Sequence, residues 1–391
     1  MDIADLLILA PQMGASDIHL TVGAQPALRV HGRIQRLPDC PVLSREVLRT
    51  MLYDILTDTQ KAKFEEQHEL DFAVELQGVG RYRVNAFMNR SGEGAVFRSI
   101  PDKIKGFEEL GLPDVVRQLA RCDKGLVLVT GPTGSGKSTT LAAMIDLINT
   151  ERQEHILTVE DPIEFVHPHK NCIVNQREVG PHTHSFENAL RSALREDPDV
   201  IMVGEMRDLE TIALAITAAE TGHLVFGTLH TMGAPQTVDR VIDVFPTDQQ
   251  SQIRAQFAES IRGVVSQILM RRADGSGRVA ALEIMVANSA IRNLIREGKT
   301  FQMHSVIETC TRDGMCTLDQ SLKELVKSGR VTKEDALAKA TDPDSLESIE
   351  ADGARRDGGG NGMGGRSLDS ILGSPISSQQ QQPSWGKKIN Y

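Results

Sequence analysis

The run Gly131-Pro132-Thr133-Gly134-Ser135-Gly136-Lys137-Ser138 constrains this chain more than any other feature of its sequence. It fits the spacing G-x-x-x-x-G-K-[ST], and it lies between the apolar run 126–130 and a helical pattern. At average glycine usage, a chance match in a chain of this length arises roughly one time in a hundred. The strand, loop and helix context lowers that chance further. The sequence therefore predicts a loop that binds phosphate groups.

Each part of this run has a physical role in such a loop. Glycines let consecutive N–H groups point inward around phosphate oxygens, and the helix that starts near Lys137 adds its positive dipole end. We expect Lys137 to meet the β- and γ-phosphates and the Ser138 hydroxyl to ligate Mg²⁺, so ATP and Mg²⁺ are the predicted cofactors. The nucleotide-binding residues predicted in the loop are Thr133, Gly134, Ser135, Gly136, Lys137, Ser138 and Thr139.

Short apolar runs alternate with helical patterns from about residue 114 onward. The apolar runs are 126–130, 156–159, 200–203 and 224–228, and the helical patterns between them are 138–149, 185–196 and 209–221. Such strands are typical of a parallel sheet that helices cover on both faces. A hairpin pattern at 267–284 and further helical patterns follow. This part of the chain is predicted to be an α/β domain.

The residues before this region predict a separate domain of mixed α and β structure. Alternating segments mark strands at 17–22, 27–31, 70–75, 80–87 and 94–100, and one helix is predicted over about 44–68, with Ser44 as its N-cap. The expected division is a domain at 1–101, a turn-rich linker at 102–113 and a second domain at 114–348. The remaining segment, 349–391, is rich in Gly and Gln and is expected to be disordered.

Charge and hydropathy exclude several classes of protein. The chain has 43 Lys and Arg against 53 Asp and Glu, a net charge of −10, and an aromatic fraction of 4%. No nucleic-acid partner is expected, because neutralising phosphates needs a basic surface and stacking on bases needs aromatic side chains. The net charge does not exclude a local basic channel. No apolar run is long enough to span a membrane. Since no Lys or Arg precedes Arg29, the N-terminus is predicted to be a cytoplasmic amphipathic helix rather than a secretory signal.

Carboxylates follow two of the predicted parallel strands. Glu205 comes just after 200–203, and Glu160 and Glu164 come at the end of 156–159 and shortly beyond it. Ligands of open α/β sheets bind at the carboxyl ends of the strands, so these acids are expected to face the phosphate loop. We expect Glu205 to orient the water that attacks the γ-phosphate. An ordinary surface glutamate and a solvated acidic turn are the alternatives.

Two histidines, His223 and His230, flank the apolar segment 224–229. Their hydrogen bonds suit a sensor of the γ-phosphate, although a lone histidine is more often a structural residue. A small-molecule kinase would also carry a phosphate loop, but the sequence shows neither the acceptor pocket nor the lid that such an enzyme needs.

Taken together, these motifs resemble the Walker A, Asp box, Walker B and His box of the secretion-type hexameric ATPases. The residues that carry the resemblance are 131–138, 160–164, 204–208 and the pair His223 and His230. The run Ala290–Glu297 resembles a signature of the type IV pilus retraction ATPases, and the likeness covers about residues 1–345. Pilus assembly and type II secretion ATPases are similar too, but usually carry a zinc-binding tetracysteine that this sequence lacks. Such an ATPase, or an accessory retraction ATPase, is the alternative.

The resemblance implies a PAS-like N-terminal α+β domain followed by a RecA-like P-loop ATPase domain with a C-terminal helical region. It implies an ATP-hydrolysing homo-hexamer that powers type IV pilus retraction and twitching motility. Such proteins are cytoplasmic and act at the cytoplasmic face of the inner membrane. The implied partners are an inner-membrane pilus platform protein and, in some machines, a second retraction ATPase.

The resemblance also implies roles for individual residues. Glu205 and Glu164 correspond to the Walker B and Asp box acids that hydrolysis needs, and His230 is placed with them as catalytic. Glu160 and His223 are implied to contact the nucleotide. Arg83 and Arg98, on predicted N-terminal strands, resemble arginines that reach the phosphates, with a solvated polar face as an equal alternative. The charged face of Ala290–Glu297 is expected to meet another domain or the pilus machine.

Overall fold

A computed structural model of the chain describes residues 2–30, 32–100, 103–347 and 389–390. It contains two compact units, the first within Met1–Ile100 together with Ile389–Asn390 and the second within Pro101–Asp352. The disorder predicted for 349–391 falls on residues outside those described, apart from Ile389–Asn390. In the described part of the chain, no helix combines the length and hydropathy that crossing a membrane requires.

The first unit is an antiparallel sheet packed against three helices. Its core holds Ile18, Leu48, Phe64, Val84 and Phe97, all at most 2% exposed. Along the sheet the strand order is β4-β5-β6-β1-β2-β3, and Ile389–Asn390 pairs with Leu76 and Glu75 at the β4 edge. In chain order the elements are α1 (Ile3–Gln12), β1 (Ala15–Thr21), β2 (Ala27–Val30), β3 (Arg33–Arg36), α2 (Arg45–Tyr53), α3 (Asp58–Gln67), β4 (Glu69–Leu76), β5 (Gly80–Asn89) and β6 (Gly92–Ile100).

The single helix predicted over 44–68 is wrong, because two helices occupy this segment. The backbone N–H of Gln60 donates to the Thr57 hydroxyl, and the N–H of Thr57 donates to Gln60 Oε1. This capping box starts α3 independently of α2, which Ser44 caps as predicted. The apolar spacing continues through the break because Ile55 and Leu56, between the helices, are also buried in the core.

The second unit is a seven-stranded sheet covered by helices, with two 3₁₀ turns at Thr300–Gln302 and Thr311–Asp313. The strand order is β13-β12-β7-β11-β10-β8-β9, and every neighbouring pair is parallel except β12 and β13. In chain order the elements are α4 (Phe107–Leu110), α5 (Asp114–Ala120), β7 (Gly125–Thr130), α6 (Lys137–Glu151), β8 (His155–Glu160), β9 (Ile173–Glu178), α7 (Phe186–Ala193), β10 (Val200–Val203), α8 (Leu209–Glu220), β11 (Leu224–Leu229), α9 (Ala234–Asp243), α10 (Gln250–Ser260), β12 (Ile261–Arg271), β13 (Arg278–Val286), α11 (Ser289–Glu297), α12 (Met303–Thr309), α13 (Leu318–Lys327), α14 (Lys333–Leu337) and α15 (Asp344–Glu347).

The central strands of this sheet explain the continuous apolar runs of the sequence. Every residue of β7, β10 and β11 is buried, so a strand with one polar face could not occupy these places. Since β7, β8, β10 and β11 are parallel, their carboxyl ends share one edge of the sheet. The phosphate loop and the loops that carry Glu205 and His230 all leave from that edge.

Most of the stretch predicted as a linker, 102–113, is packed into the second unit. Phe107 begins α4 and is only 3% exposed, and it shares a core cluster with Leu112 and Val116. The helix is only four residues long and has a glycine on either side, Gly106 and Gly111, so the sequence shows turn residues and no helical pattern here.

Candidate functional site

The phosphate-loop run forms a tight glycine turn between β7 and α6. Gly131, Gly134 and Gly136 have φ angles of 135°, 78° and 89°, which other residues rarely adopt. Gly136 is the N-cap of α6 and offers no side-chain cap, so the N–H groups of the first turn keep their capacity to bind an anion. Thr133 and Gly134 are exposed on the loop, and Lys137, Ser138 and Thr139 form the first turn of the helix.

Lys137 folds back over this loop. Its Nζ donates to the carbonyl oxygens of Gly131 at 2.9 Å and Pro132 at 3.2 Å. Burial lowers the pKa of Lys137, while the carboxylates of Glu205 and Glu164 act in the opposite direction. Ser135 Oγ is buried without a hydrogen-bond partner among the described residues. A phosphate oxygen bound in the loop would relieve both the buried ammonium and the unpaired hydroxyl.

Glu205 follows β10 at the same sheet edge and pairs with an imidazole and a guanidinium group. His230 Nε2 lies 3.0 Å from Glu205 Oε1, and Arg207 Nη2 donates to Oε2 at 2.6 Å. Burial raises the pKa of Glu205, but the hydrogen bond from Arg207 and the charges of Arg207 and His230 outweigh it and hold that pKa below its usual value. Glu205 is therefore a carboxylate near neutral pH, and a carboxylate can accept a proton from water.

Glu160 and Glu164 occupy different environments. Glu160 is buried, and its carboxylate accepts hydrogen bonds from Thr158 Oγ1 at 2.7 Å, Gln176 Nε2 at 3.1 Å and the N–H of Glu164 at 3.3 Å. Burial raises its pKa to about 6. Glu164 is exposed and close enough to Lys137 to affect its pKa. The structure thus brings Glu164 to the phosphate loop, whereas Glu160 braces the turn that presents it.

His223 lies at the other edge of the sheet from His230. It comes just before β11, and its carbonyl accepts a hydrogen bond from the N–H of Gly125, the first residue of β7. Its Nδ1 lies 2.9 Å from the carbonyl oxygen of Ala218. The phosphate loop follows the last residue of β7, a full strand away. The structure therefore does not bring His223 to the nucleotide site, contrary to what the flanking positions of the two histidines predict.

Arg83 and Arg98 lie in the first unit, directly opposite each other on β5 and β6. Each of these like charges has an aspartate beside it: Arg98 Nε donates to Asp17 Oδ1 at 2.8 Å, and Arg83 Nε lies 3.9 Å from Asp71 Oδ1. Both guanidinium groups remain partly exposed. The pair forms a positive patch whose charge is partly balanced within the unit.

The run Ala290–Glu297 falls on α11 and is tied to the end of α10. Arg292 Nη1 donates to the carbonyl oxygens of Ala258 and Glu259, and Arg296 pairs with the Glu259 carboxylate. Ile291 and Ile295 are buried on the opposite side. Both arginines of the expected partner-binding face are therefore already engaged within the unit.

Arg207 pairs with Glu205 in the site, a contact that the sequence motifs did not predict. It lies two residues after Glu205, in a loop, where charge spacing carries little information about contacts. A second residue without a role assigned from the sequence, the acid Glu178 at the end of β9, accepts a hydrogen bond from the N–H of Ile163 and so holds the turn at 160–164. In the part of the chain that the structure describes, no cluster of three or more His, Cys, Asp or Glu side chains is placed to hold a metal ion.

Comparison with known proteins identifies relatives along most of the chain. The sequence model of the type II/IV secretion system protein family matches residues 2–338. The chain is 55% identical over 346 residues to the type IV pilus retraction ATPase PilT of Pseudomonas aeruginosa, covering 88% of this chain and 100% of that protein. It is 51% identical over 344 residues to a twitching motility protein of Neisseria gonorrhoeae, covering 88% and 92% of the two chains.

A solved structure is similar over the same extent. The crystal structure of the pilus retraction motor PilT with bound ADP aligns with a TM-score of 0.84 and 50% identity, and covers 89% of this chain and 100% of that chain. This likeness confirms the predicted fold class, a PAS-like α+β domain followed by a RecA-like P-loop ATPase domain with helices after it.

Proposed function

The chain belongs to the type II/IV secretion system protein family, and we propose that it is an ATP-hydrolysing motor that powers type IV pilus retraction and twitching motility. One observation carries the proposal. The phosphate loop, Glu205 and His230 share one sheet edge in a chain that matches a retraction ATPase along that protein's whole length. The site supplies the chemistry, and the match supplies the process.

Binding of ATP follows from the phosphate loop. Its main-chain N–H groups and those at the uncapped start of α6 donate to the phosphate oxygens, and Lys137 exchanges the carbonyls of Gly131 and Pro132 for these oxygens. The exchange replaces neutral acceptors by charged ones. The ammonium attracts a phosphate oxygen more strongly than a neutral carbonyl oxygen because the charges are opposite, so the exchange favours the bound state.

Mg²⁺ fits the donors present at this edge. The Ser138 hydroxyl and nearby carboxylates offer oxygen atoms, which Mg²⁺ prefers, and the ion needs few protein ligands when phosphates and water fill its other positions. Ser138 would hold the ion, and the bound ion would neutralise charge on the phosphates. A cluster of three carboxylates is not needed to hold the ion, because phosphate oxygens and water complete its coordination.

Hydrolysis depends on Glu205 in this proposal. The carboxylate accepts a proton from water while the water oxygen forms a bond to the γ-phosphorus and the bond to the β-phosphate oxygen breaks. Arg207 contacts both carboxylate oxygens of Glu205, and His230 contacts one of them, Oε1. Together they fix the direction of the carboxylate. Glu164, near Lys137, is the second acid that we assign to catalysis, and Glu160 fixes the turn before it.

The mechanical part of the proposal concerns assembly. We assign the chain to a homo-hexamer at the cytoplasmic face of the inner membrane, where it acts on a pilus platform protein. Arg83 and Arg98 form the patch that would contact phosphates bound by a neighbouring copy, and both are partly exposed. A charge that arrives from another copy makes hydrolysis depend on that copy's position. The division into domains at 1–101 and 114–348 belongs to the same proposal.

A deletion strain tests the process. Loss of twitching together with excess surface pili, both restored by the unmodified gene and neither by the Lys137→Ala gene, is the expected result. Cells without pili would instead identify an assembly ATPase. Retained twitching would identify an accessory retraction ATPase. The Lys124→Ala gene is the matched control, because Lys124 is an exposed lysine just before the opposite end of β7.

A further inference from the structure

Gln267 is a buried polar residue in the middle of β12, and its side chain bonds both to the phosphate loop and to α6. Its Nε2 donates to the carbonyl oxygen of Ser135 at 2.7 Å, and its Oε1 accepts a hydrogen bond from Thr140 Oγ1 at 2.9 Å. Gln267 is 2% exposed, Ser135 and Thr140 are 3% exposed, and more than 120 residues separate Gln267 from either partner in the sequence. One side chain therefore joins the loop to the second turn of α6.

The backbone of the loop is also built against Gln267. A Cβ atom on Gly131 would overlap the carbonyl oxygen of Gln267, and one on Gly136 would lie 3.2 Å from Gln267 Nε2. Close approach to β12 thus requires a glycine at position 131, in addition to its positive φ angle, whereas Gly136 is favoured by its positive φ angle and has little free space beside Gln267. Gln267 therefore lies against three positions of the loop, Gly131, Ser135 and Gly136.

These contacts bear on phosphate binding. The loop binds phosphate only when consecutive N–H groups point inward together, and a carbonyl that turned inward would repel the ligand. The Ser135 carbonyl is held outward by the amide of Gln267. A loop fixed in the binding conformation before the nucleotide arrives does not lose further conformational freedom on binding.

We propose that Gln267 is a positioning residue that holds the phosphate loop in its nucleotide-binding conformation through Ser135 and Thr140. It touches neither the nucleotide nor the reacting atoms. The inference rests on the proposed nucleotide binding, and it assigns to β12 a task in that binding. Removal of the amide weakens binding of ATP and ADP alike, because both need the same loop.

Gln267→Met tests the inference, since methionine has similar length and volume but no amide. We expect the dissociation constant for a fluorescent ADP analogue to rise about tenfold and the KM for ATP to rise with it, while kcat changes little. A purely structural role would lower the melting temperature and leave the dissociation constant unchanged. That result would overturn the inference.

Thr140 supplies a second test that does not depend on the stability of Gln267→Met. Thr140→Ser keeps the hydroxyl and is expected to bind ADP as the unmodified protein does, whereas Thr140→Val binds more weakly. In the Gln267→Met background, Thr140→Val is expected to add little, because both changes break one bridge. Independent, multiplying effects of the two substitutions would contradict the inference, as would equal binding by Thr140→Val and Thr140→Ser.

Asn149→Leu is the matched control. Asn149 is fully buried in the last turns of the same helix, and its amide bridges the carbonyl of Pro168 and the N–H of Lys170. Its loss is expected to lower the melting temperature without changing the ADP dissociation constant. If the unmodified protein bound no nucleotide, the proposed function would fail. Normal binding by Gln267→Met would remove the role of Gln267 alone.

Discussion

His230 Nε2 lies 3.0 Å from Glu205 Oε1, which joins the residues that follow two neighbouring parallel strands, β10 and β11. Arg207 contacts both oxygens of the carboxylate: its Nε lies 2.5 Å from Oε1, and its Nη2 donates to Oε2. The negative charges of this carboxylate and of Glu164 act to raise the pKa of Lys137, against the effect of burial. The loop that binds phosphate and the acid assigned to hydrolysis thus form one electrostatic unit at a single sheet edge.

Lys137→Ala is expected to abolish ATP turnover and to weaken ADP binding roughly 10- to 100-fold, because the charged donor to the phosphates is lost. Equilibrium binding of a fluorescent ADP analogue measures the effect. Lys124→Ala removes an exposed lysine just before β7, at the end of that strand far from the phosphate loop, and is expected to bind ADP normally. Equal affinities of the two variants would contradict the role assigned to Lys137.

Arg207→Ala is expected to move the acid limb of the kcat profile to higher pH. Arg207 holds the pKa of Glu205 down, and Glu205 accepts a proton only when ionised. Without Arg207 that pKa rises, so activity is lost at a higher pH as the solution is acidified. Arg191→Ala removes an exposed arginine that pairs with Glu187 and serves as the control. An acid limb that stays in place, or moves to lower pH, would contradict the assignment.

His167 is expected to make the protein less stable in acid. Burial lowers its pKa to about 4 from the ordinary 6.5. As pH falls from 6.5 towards 4, the unfolded chain binds a proton at this residue while the folded chain does not. The free energy of unfolding then decreases by about 3 kcal/mol across that window.

The variant His167→Phe isolates this effect in urea titrations at several pH values. Its free energy of unfolding is expected to lose that share of the pH dependence, whereas His184→Phe, at an exposed site, is expected to retain it. The raised pKa of Glu160 acts in the opposite direction, since its protonated form is favoured in the folded state. The comparison is therefore between variant and unmodified slopes. Equal slopes would disprove the assignment to His167.

Arg292→Met is expected to destabilise the isolated protein by about 1 to 3 kcal/mol. The guanidinium donates to the carbonyl oxygens of Ala258 and Glu259 at the end of α10. The substitution removes both hydrogen bonds, and the Glu259 carbonyl then keeps the one from Arg262 Nη1. Thermal unfolding measures the change, with exposed Arg271→Met as the control. An unchanged melting temperature would show instead that Arg292 is available for a partner, as the charged helix face suggested.

The sequence predicts the phosphate loop and the central strands well for a physical reason. A parallel sheet buried on both faces demands continuous apolar runs, and the loop demands glycines at fixed spacing before Lys137. Both constraints are local, so the sequence displays them directly. The predicted positions of α6, α8 and β11 agree with the structure to within about three residues.

The misassigned residues depend on direction and on distant contacts. His223 and His230 are equivalent as flanking residues, but the direction of β11 sends them to opposite edges of the sheet. The sequence already contained that signal, because only residues after a parallel strand reach the ligand edge. Gln267 is different. A lone polar residue in an apolar strand indicates a buried hydrogen bond, but only the fold shows that Ser135 and Thr140 receive it.

ATP turnover and ADP binding by Glu205→Gln, measured side by side in the purified protein with Mg²⁺, decide whether Glu205 activates the attacking water. We expect the variant to bind ADP nearly as well as the unmodified protein while phosphate release falls roughly 10²- to 10⁴-fold, the loss that follows removal of a general base. Glu210→Gln, in the first turn of α8, is expected to change neither. Undiminished phosphate release by Glu205→Gln would show that Glu205 is not the base for ATP hydrolysis.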